Sequence, residues 1–165
     1  MEPFELYNDE NVKVTAILVA HSPMTPAFAF RFENEHGSVV ISGDTAPCPN
    51  MVTLAKDCDI LLHESIDFDW VHASYDTENH AYAQASVDHH HRSHTSPEQA
   101  VAIATEANAK TLVLHHLVPG AGTNEVWEQA GRHFAGRFLV PDDLDIIRPL
   151  PNGAQAVEGS VAIHA

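Results

Sequence analysis

Four short apolar runs of this chain each end on a histidine or a carboxylate. The runs ILVA, VVISG, DILL and TLVL lead directly into His21, Asp44, the pair His63 and Glu64, and the pair His115 and His116. Short runs of β-branched and aliphatic residues are typical of buried strands. Strands of one sheet can bring their ends to a common edge, and imidazole and carboxylate groups are the ligands of hydrolytic metal centres. The recurrence therefore predicts a metal site at the edge of a sheet.

Composition limits the classes of function. The chain has 165 residues and is 44% hydrophobic, which is enough for a single domain over residues 1–165 with its own core. It carries 8 basic and 23 acidic residues, for a formal charge of -15. Nucleic-acid affinity depends on lysine and arginine side chains that neutralise phosphates, so this charge argues against tight binding of RNA or DNA.

The cysteines and the apolar runs indicate a compartment. Cys48 and Cys58 are the only cysteines, and their spacing forms neither a disulfide framework nor a CxxC metal knuckle. We interpret them as small side chains in a reducing compartment. No apolar run approaches the ~20 residues of a membrane span, and the acidic N-terminus does not resemble a signal peptide. We therefore expect a cytoplasmic protein without membrane contact.

Strand patterns alternate with helix patterns along the chain. Strands are predicted at residues 12–20, 28–32, 38–42, 59–62, 111–115, 137–140 and 144–147, with a last candidate at 160–164. Helices are predicted at 49–57 and 125–135, and a third begins after Ser96, forms a capping box with Gln99 and ends near Asn108. The alternation, together with an early hairpin over 28–42, predicts an α/β fold with a mixed sheet covered by helices.

Residues 65–93 do not follow this alternation. The segment is rich in histidine, aspartate, serine and tyrosine, and it is too long for an ordinary connection. It is either a loop that serves as a lid or a partly helical insertion, with 78–90 as the part that favours a helix. We interpret His89, His90 and His91 as a solvated cluster, not as metal ligands.

Several candidate site residues admit two interpretations. Asp44 lies in SGDT, where its carboxylate can bridge two cations or cap the following turn. Successive strand residues face opposite ways, so only one of His115 and His116 can face a given site. Glu64 and His94 can form a carboxylate–imidazole pair that transfers protons.

The order of the motifs adds a resemblance. The motifs VAHS, SGDT, LLHES, SHTSPEQAVAIATEANAK and LVLHHLVPG resemble the second half of metallo-β-lactamase-fold hydrolases of the ribonuclease Z and arylsulfatase-like branch, over residues 12–148. The resemblance implies half of an αββα sandwich with two zinc ions, or manganese or iron, at one sheet edge. It implies a hydrolase of small ester or phosphodiester substrates. In this resemblance His21, Asp44 and His116 are metal ligands, Asp44 bridges the two ions, and Glu64 and His94 assist proton transfer.

One departure from that family is large. Its HxHxDH signature, which supplies four ligands in the first half of the fold, is missing from this sequence. We therefore expect a fragment that lacks the N-terminal half and is inactive by itself. The alternative is a non-catalytic structural or metal-binding half-domain that pairs with a second chain, for instance as a homodimer.

Overall fold

The fold is built around one mixed sheet of seven strands. The computed structural model describes residues 1–75, 81–120, 125–149 and 155–157. The strands lie side by side in chain order: β1 (Phe4–Asn8), β2 (Lys13–Val19), β3 (Ala27–Asn34), β4 (Gly37–Ile41), β5 (Ile60–Ile66), β6 (Thr111–Val118) and β7 (Arg137–Leu139). Strands β1 to β4 pair antiparallel, and β4 to β7 pair parallel. The predicted α/β fold with a mixed sheet is confirmed.

Five helices and a small ribbon complete the described part of the chain. The helices are α1 (Pro49–Ala55), α2 (Phe68–Ser74), α3 (Ala81–Ser93), α4 (Pro97–Glu106) and α5 (Glu125–Gly131). Strands β8 (Ile146–Arg148) and β9 (Gln155–Val157) pair with each other. The predicted capping box is present at α4, where Ser96 accepts from the backbone N–H of Gln99 and the Gln99 side chain accepts from Ser96 N–H. Asn108, with φ of 54°, follows the end of this helix in the left-handed conformation.

The main core lies between the sheet and helices α1, α4 and α5. Its largest fully buried members come from both layers and include Ile17, Val40, Leu54, Leu61, Leu112 and Leu114. Each such side chain contributes roughly 1.5 to 3 kcal/mol through burial. A smaller apolar cluster on Ile60 and Val113 packs with Ile147 of β8. The core fixes strands β4, β5 and β6, whose ends carry the candidate site.

The structure differs from the sequence prediction at strand β1 and at the end of helix α5. Strand β1 was not predicted, because all five of its residues are exposed and it is held by pairing with the edge of β2. The segment 65–93 contains helices α2 and α3, which supports the helical alternative over the loop. Helix α5 ends at Gly131, short of the predicted residue 135. The strand candidate at 160–164 lies outside the described residues.

Among the described residues, no helix is both long and apolar enough to span a bilayer. Cys48 and Cys58 are free thiols. Free thiols fit a reducing compartment, and the cytoplasmic location stays a prediction.

Candidate metal centre

The four apolar runs end at the same edge of the sheet. Strand β2 is antiparallel to β3, which is antiparallel to β4, so β2 runs in the same direction as β4. Strands β4, β5 and β6 are mutually parallel. The carboxyl ends of β2, β4, β5 and β6 therefore share one edge, and this direction explains why histidine and carboxylate side chains recur after these strands.

A backbone bridge holds the segments after β2 and β4 together. Ala20 and Ala46 form an isolated β-bridge, in which Ala46 N–H donates to the Ala20 carbonyl at 2.7 Å. Ala20 N–H donates to Thr45 Oγ1 at 3.1 Å. Because His21 follows Ala20 and Asp44 precedes Thr45, these contacts place the two side chains side by side.

Gly43 makes the turn that presents Asp44. Its φ is 58°, and a Cβ at this position would lie 2.9 Å from the carbonyl oxygen of Phe28. Both the left-handed backbone and the close approach require glycine. Ser42 fixes the same turn, since its hydroxyl donates to the Gly43 carbonyl at 2.6 Å and accepts from Glu64 N–H at 3.0 Å.

The two carboxylate oxygens of Asp44 face different imidazoles. Oδ2 lies 3.8 Å from His21 Nε2, and Oδ1 lies 3.4 Å from His116 Nδ1. Two ligands on one zinc ion, each bound at about 2.0 to 2.2 Å, lie roughly 3 to 3.5 Å apart. The donor set therefore fits a divalent cation with small adjustments, and each carboxylate oxygen faces a different imidazole.

A bulge in β6 selects His116 over His115. In the pairing with β5, Glu64 faces His115 and Ser65 faces Leu117, so His116 is an extra residue in the ladder. Its φ is 48°, in the left-handed region. Bulges of this kind re-aim a side chain next to functional sites. His115 is half-buried, and burial, followed by the charge of His116, lowers the pKa of His115.

Glu64 and His94 form a buried pair behind the candidate ligands. Glu64 Oε1 accepts from His94 Nδ1 at 3.0 Å and from Thr45 N–H at 3.1 Å. Burial raises the pKa of Glu64, against the opposing hydrogen bond from His94. The hydrogen bond to Glu64 raises the pKa of His94 despite partial burial. Both shifts favour retention of a proton by the pair.

His94 also lies within reach of the candidate ligands. One ligand atom each from His21, Asp44 and His94 all lie within 4.8 Å of one another. The His94 ring stands edge-on to that of His21, with centroids 5.3 Å apart. The sequence predicts only a role in proton transfer for His94, and the geometry additionally allows it to be a ligand. No sequence pattern distinguishes the two roles, because both need a histidine beside a carboxylate.

The remaining strand-end histidine is structural. His63 is fully buried, and burial lowers its pKa to about 4, so it is neutral at pH 7. Its Nδ1–H donates to the carbonyl of Glu64 at 2.8 Å. Only Glu64 of this pair therefore reaches the candidate site.

Hydroxyl side chains that were not predicted from the sequence hold the loops of the candidate site in place. Thr95 Oγ1 donates to the Thr45 carbonyl at 2.6 Å, and Ser93 Oγ donates to the Ser22 carbonyl at 2.5 Å. These bonds tie the segment around His94 to the loops that carry Asp44 and His21. Serine and threonine are too common in loops for any sequence pattern to have singled these out.

A cleft gives access to this edge of the sheet. Its volume is about 730 Å³, and it is lined by His115, His116 and Leu117 on one strand and by Val140 and Asp142 among others. A cleft of this size accommodates a small molecule, and His116 is the candidate ligand that lines it.

Comparison with known proteins identifies relatives. Residues 1–117 match the family model described as "Beta-lactamase superfamily domain". The chain is 34% identical to "Ribonuclease Z" of Mycobacterium tuberculosis (strain H37Rv) over 88% of its own length and 51% of that protein. It is 36% identical to "Ribonuclease Z" of Mycobacterium avium over 84% of its own length and 48% of that protein. The chain thus spans about half the length of these curated relatives.

Solved structures show the same fold. The metallo-beta-lactamase fold protein YhfI from Bacillus subtilis is 21% identical, with a TM-score of 0.62, over 84% of this chain and 50% of that one. The short form of human tRNase Z is 22% identical, with a TM-score of 0.53, over 86% of this chain and 44% of that one.

Proposed function

Because the chain belongs to the β-lactamase superfamily of domains, we propose that it is a metal-dependent hydrolase of an ester or phosphodiester substrate. The observation that carries this proposal is the position of Asp44. Its two oxygens face His21 at 3.8 Å and His116 at 3.4 Å, as expected of a carboxylate that serves two cations.

The metal would be held by His21, Asp44 and His116. Mixed nitrogen and oxygen ligands suit zinc, and also manganese or iron. When bound, such cations polarise the scissile ester and lower the pKa of the attacking water.

Glu64 and His94 would handle the proton. Glu64 Oε1 holds the proton on Nδ1 of His94, which leaves Nε2 as the ring nitrogen for exchange with substrate. A protonated His94 imidazole can donate a proton to the leaving group. Before that step, the buried carboxylate of Glu64 stabilises the imidazolium. Exchange of His94 for Gln should lower turnover and leave metal affinity unchanged; a loss of metal affinity would make His94 a ligand instead.

A second half of the fold would complete the site. His21, Asp44 and His116 provide three ligands between two ions, whereas a zinc site ordinarily has at least three protein ligands of its own. The chain also spans about half the length of its curated relatives. We propose that the missing ligands lie in a segment of the same protein that precedes this one, and that residues 1–165 alone do not turn over substrate.

RNA is a candidate substrate within this proposal. The support is the name of the relatives that are 34% and 36% identical. A phosphodiester backbone would be attracted to the bound cations, while the charge of -15 repels it elsewhere. RNA should therefore inhibit hydrolysis of a small dye ester by competing for the cations. Failure of RNA to inhibit would restrict the proposal to small esters.

A non-catalytic half-domain that pairs with a second copy is the alternative. Its support is the exposure of Phe4, Leu6 and Tyr7 on the edge strand β1, which leaves apolar side chains for a partner. Size measurement of the purified chain separates the alternatives, since a strictly monomeric chain would count against pairing.

The test of hydrolysis uses the full-length gene product and bis(p-nitrophenyl) phosphate in the presence of zinc or manganese. The Asp44→Asn variant should lose about 100-fold or more of the turnover, because it removes the bridging charge. His36→Gln, at an exposed histidine of the turn between β3 and β4, is the matched control and should keep full activity. Undiminished turnover by Asp44→Asn would refute the proposal.

A further inference from the structure

A second pair of histidines meets on an exposed surface away from the candidate metal centre. His72 of α2 and His91 of α3 are both exposed, and their Nε2 atoms lie 3.1 Å apart. In place of the interpretation of His91 as a solvated residue without a ligand role, we propose that this pair binds a divalent transition metal such as Zn²⁺ and that the ion links α2 to α3. The site would be independent of the cations proposed around Asp44.

The separation of the two nitrogens matches metal coordination. Zinc binds imidazole nitrogen at about 2.0 to 2.1 Å, so two imidazoles on one ion lie roughly 3.3 Å apart at a tetrahedral angle and roughly 2.9 Å apart at a right angle. The observed 3.1 Å lies between these values. An ion can therefore bind both Nε2 atoms with little movement of either ring.

The surroundings hold both rings in place. His91 stacks on Phe68, with ring centroids 4.1 Å apart and an interplanar angle of 19°. Beneath the pair, Val71 of α2 and Val87 of α3 are fully buried in one apolar cluster. This packing fixes the two helices relative to each other. A preorganised pair loses little conformational freedom on binding, which favours affinity.

A metal ion can engage both imidazoles of the pair through their lone pairs. Two neutral imidazoles at this separation share a single hydrogen bond, and two protonated imidazoles would repel each other. A metal ion uses the lone pairs of both Nε2 atoms at once. The charge of -15 raises the concentration of cations near the surface.

Only two protein ligands are available among the described residues, so water would complete the coordination sphere. Such a site is weaker than a closed zinc site and exchanges its ion readily.

An ion at this position would connect two segments of the chain next to the candidate metal centre. Helix α2 follows the strand that carries Glu64, and α3 ends at Ser93, directly before His94. The ion would thus fasten together the two segments that flank the Glu64–His94 pair.

The test is a titration of the metal-free chain with ZnCl₂, followed through the ring-nitrogen NMR resonances of its histidines. The Nε2 resonances of His72 and His91 should shift together along one binding curve. In the His72→Gln variant the zinc affinity reported by His91 should fall by about tenfold or more, as expected when a two-ligand site loses one ligand. In the control variant His36→Gln the His91 curve should be unchanged.

Two further measurements distinguish zinc binding by His72 and His91 from zinc binding around Asp44. The variant Asp44→Asn should leave the His72 and His91 curves intact, which separates failure of this site from failure of the proposed hydrolase. Zinc should also raise the midpoint of guanidinium unfolding in Asp44→Asn, and this increase should disappear when His72→Gln is added. A His91 response that survives unchanged in His72→Gln would overturn the proposal.

Discussion

Exchange of Gly43 for alanine should test how tightly the turn before Asp44 is constrained. Gly43 has a φ of 58°, a region where an L-residue costs about 1 to 2 kcal/mol. The new Cβ would also lie 2.9 Å from the carbonyl oxygen of Phe28, several tenths of an ångström closer than ordinary contact. That oxygen belongs to the backbone of β3 and cannot rotate away. Together the two effects should destabilise the fold by about 2 to 3 kcal/mol.

The same substitution should also displace Asp44 in the candidate site. Relief of the Phe28 contact requires the turn to move, and Asp44 moves with it away from His21 and His116. Zinc affinity at this centre should therefore fall along with stability.

The assay is equilibrium guanidinium unfolding of the metal-free chain, followed by zinc titration under native conditions. Gly120→Ala is the matched control, because its Cβ would lie 3.5 Å from the Leu117 carbonyl oxygen, in ordinary contact. That variant should stay within about 0.5 kcal/mol of the parent chain. If Gly43→Ala were as stable as Gly120→Ala and bound zinc equally well, the argument from turn geometry would be wrong.

Two further predictions concern titratable groups away from the metal centre. Burial raises the pKa of Asp59, but hydrogen bonds from Lys110 at 2.6 Å and from the Ser38 backbone at 2.7 Å outweigh it, so the folded pKa lies below the ordinary 3.8. Asp59→Asn should therefore cost about 1 to 2 kcal/mol at pH 7, after allowance for the exposed lysine, and urea unfolding should show this difference shrink as the pH falls below about 4, towards the folded pKa; a difference that did not shrink on acidification would contradict the assignment. Burial raises the pKa of the Cys58 thiol to about 12, whereas Cys48 is only half-buried. Iodoacetamide at pH 8 should modify Cys48 alone in the native chain and both cysteines in guanidinium, as read by mass spectrometry, and equal native rates would contradict the burial of Cys58.

The recurrence of strand-end ligands could be read from the sequence because it is a local signal. An apolar run and the residue after it are neighbours in the chain, and parallel strands then bring such residues to one edge. The runs before His21, Asp44 and His116 correspond to β2, β4 and β6 of the sheet. The helix after Ser96 was equally local, since its capping box lies within four residues.

Contacts between distant segments could not be read in this way. The choice of His116 over His115 depends on a bulge in the pairing of β6 with β5, and strand alternation alone does not show which residue is extra. Strand β1 depends on pairing with β2, because its own residues are all exposed. His94 lies close to His21 and Asp44 although it is far from both in the chain. This approach depends on where α3 ends, directly before His94.

Anomalous diffraction at the zinc absorption edge, from crystals grown with zinc, tests the metal centre most directly. We predict a peak within about 2.0 to 2.2 Å of an Asp44 carboxylate oxygen and of at least one imidazole nitrogen of His21 or His116. Occupied zinc peaks elsewhere on the chain, with no peak beside the Asp44 carboxylate, would contradict the proposed centre.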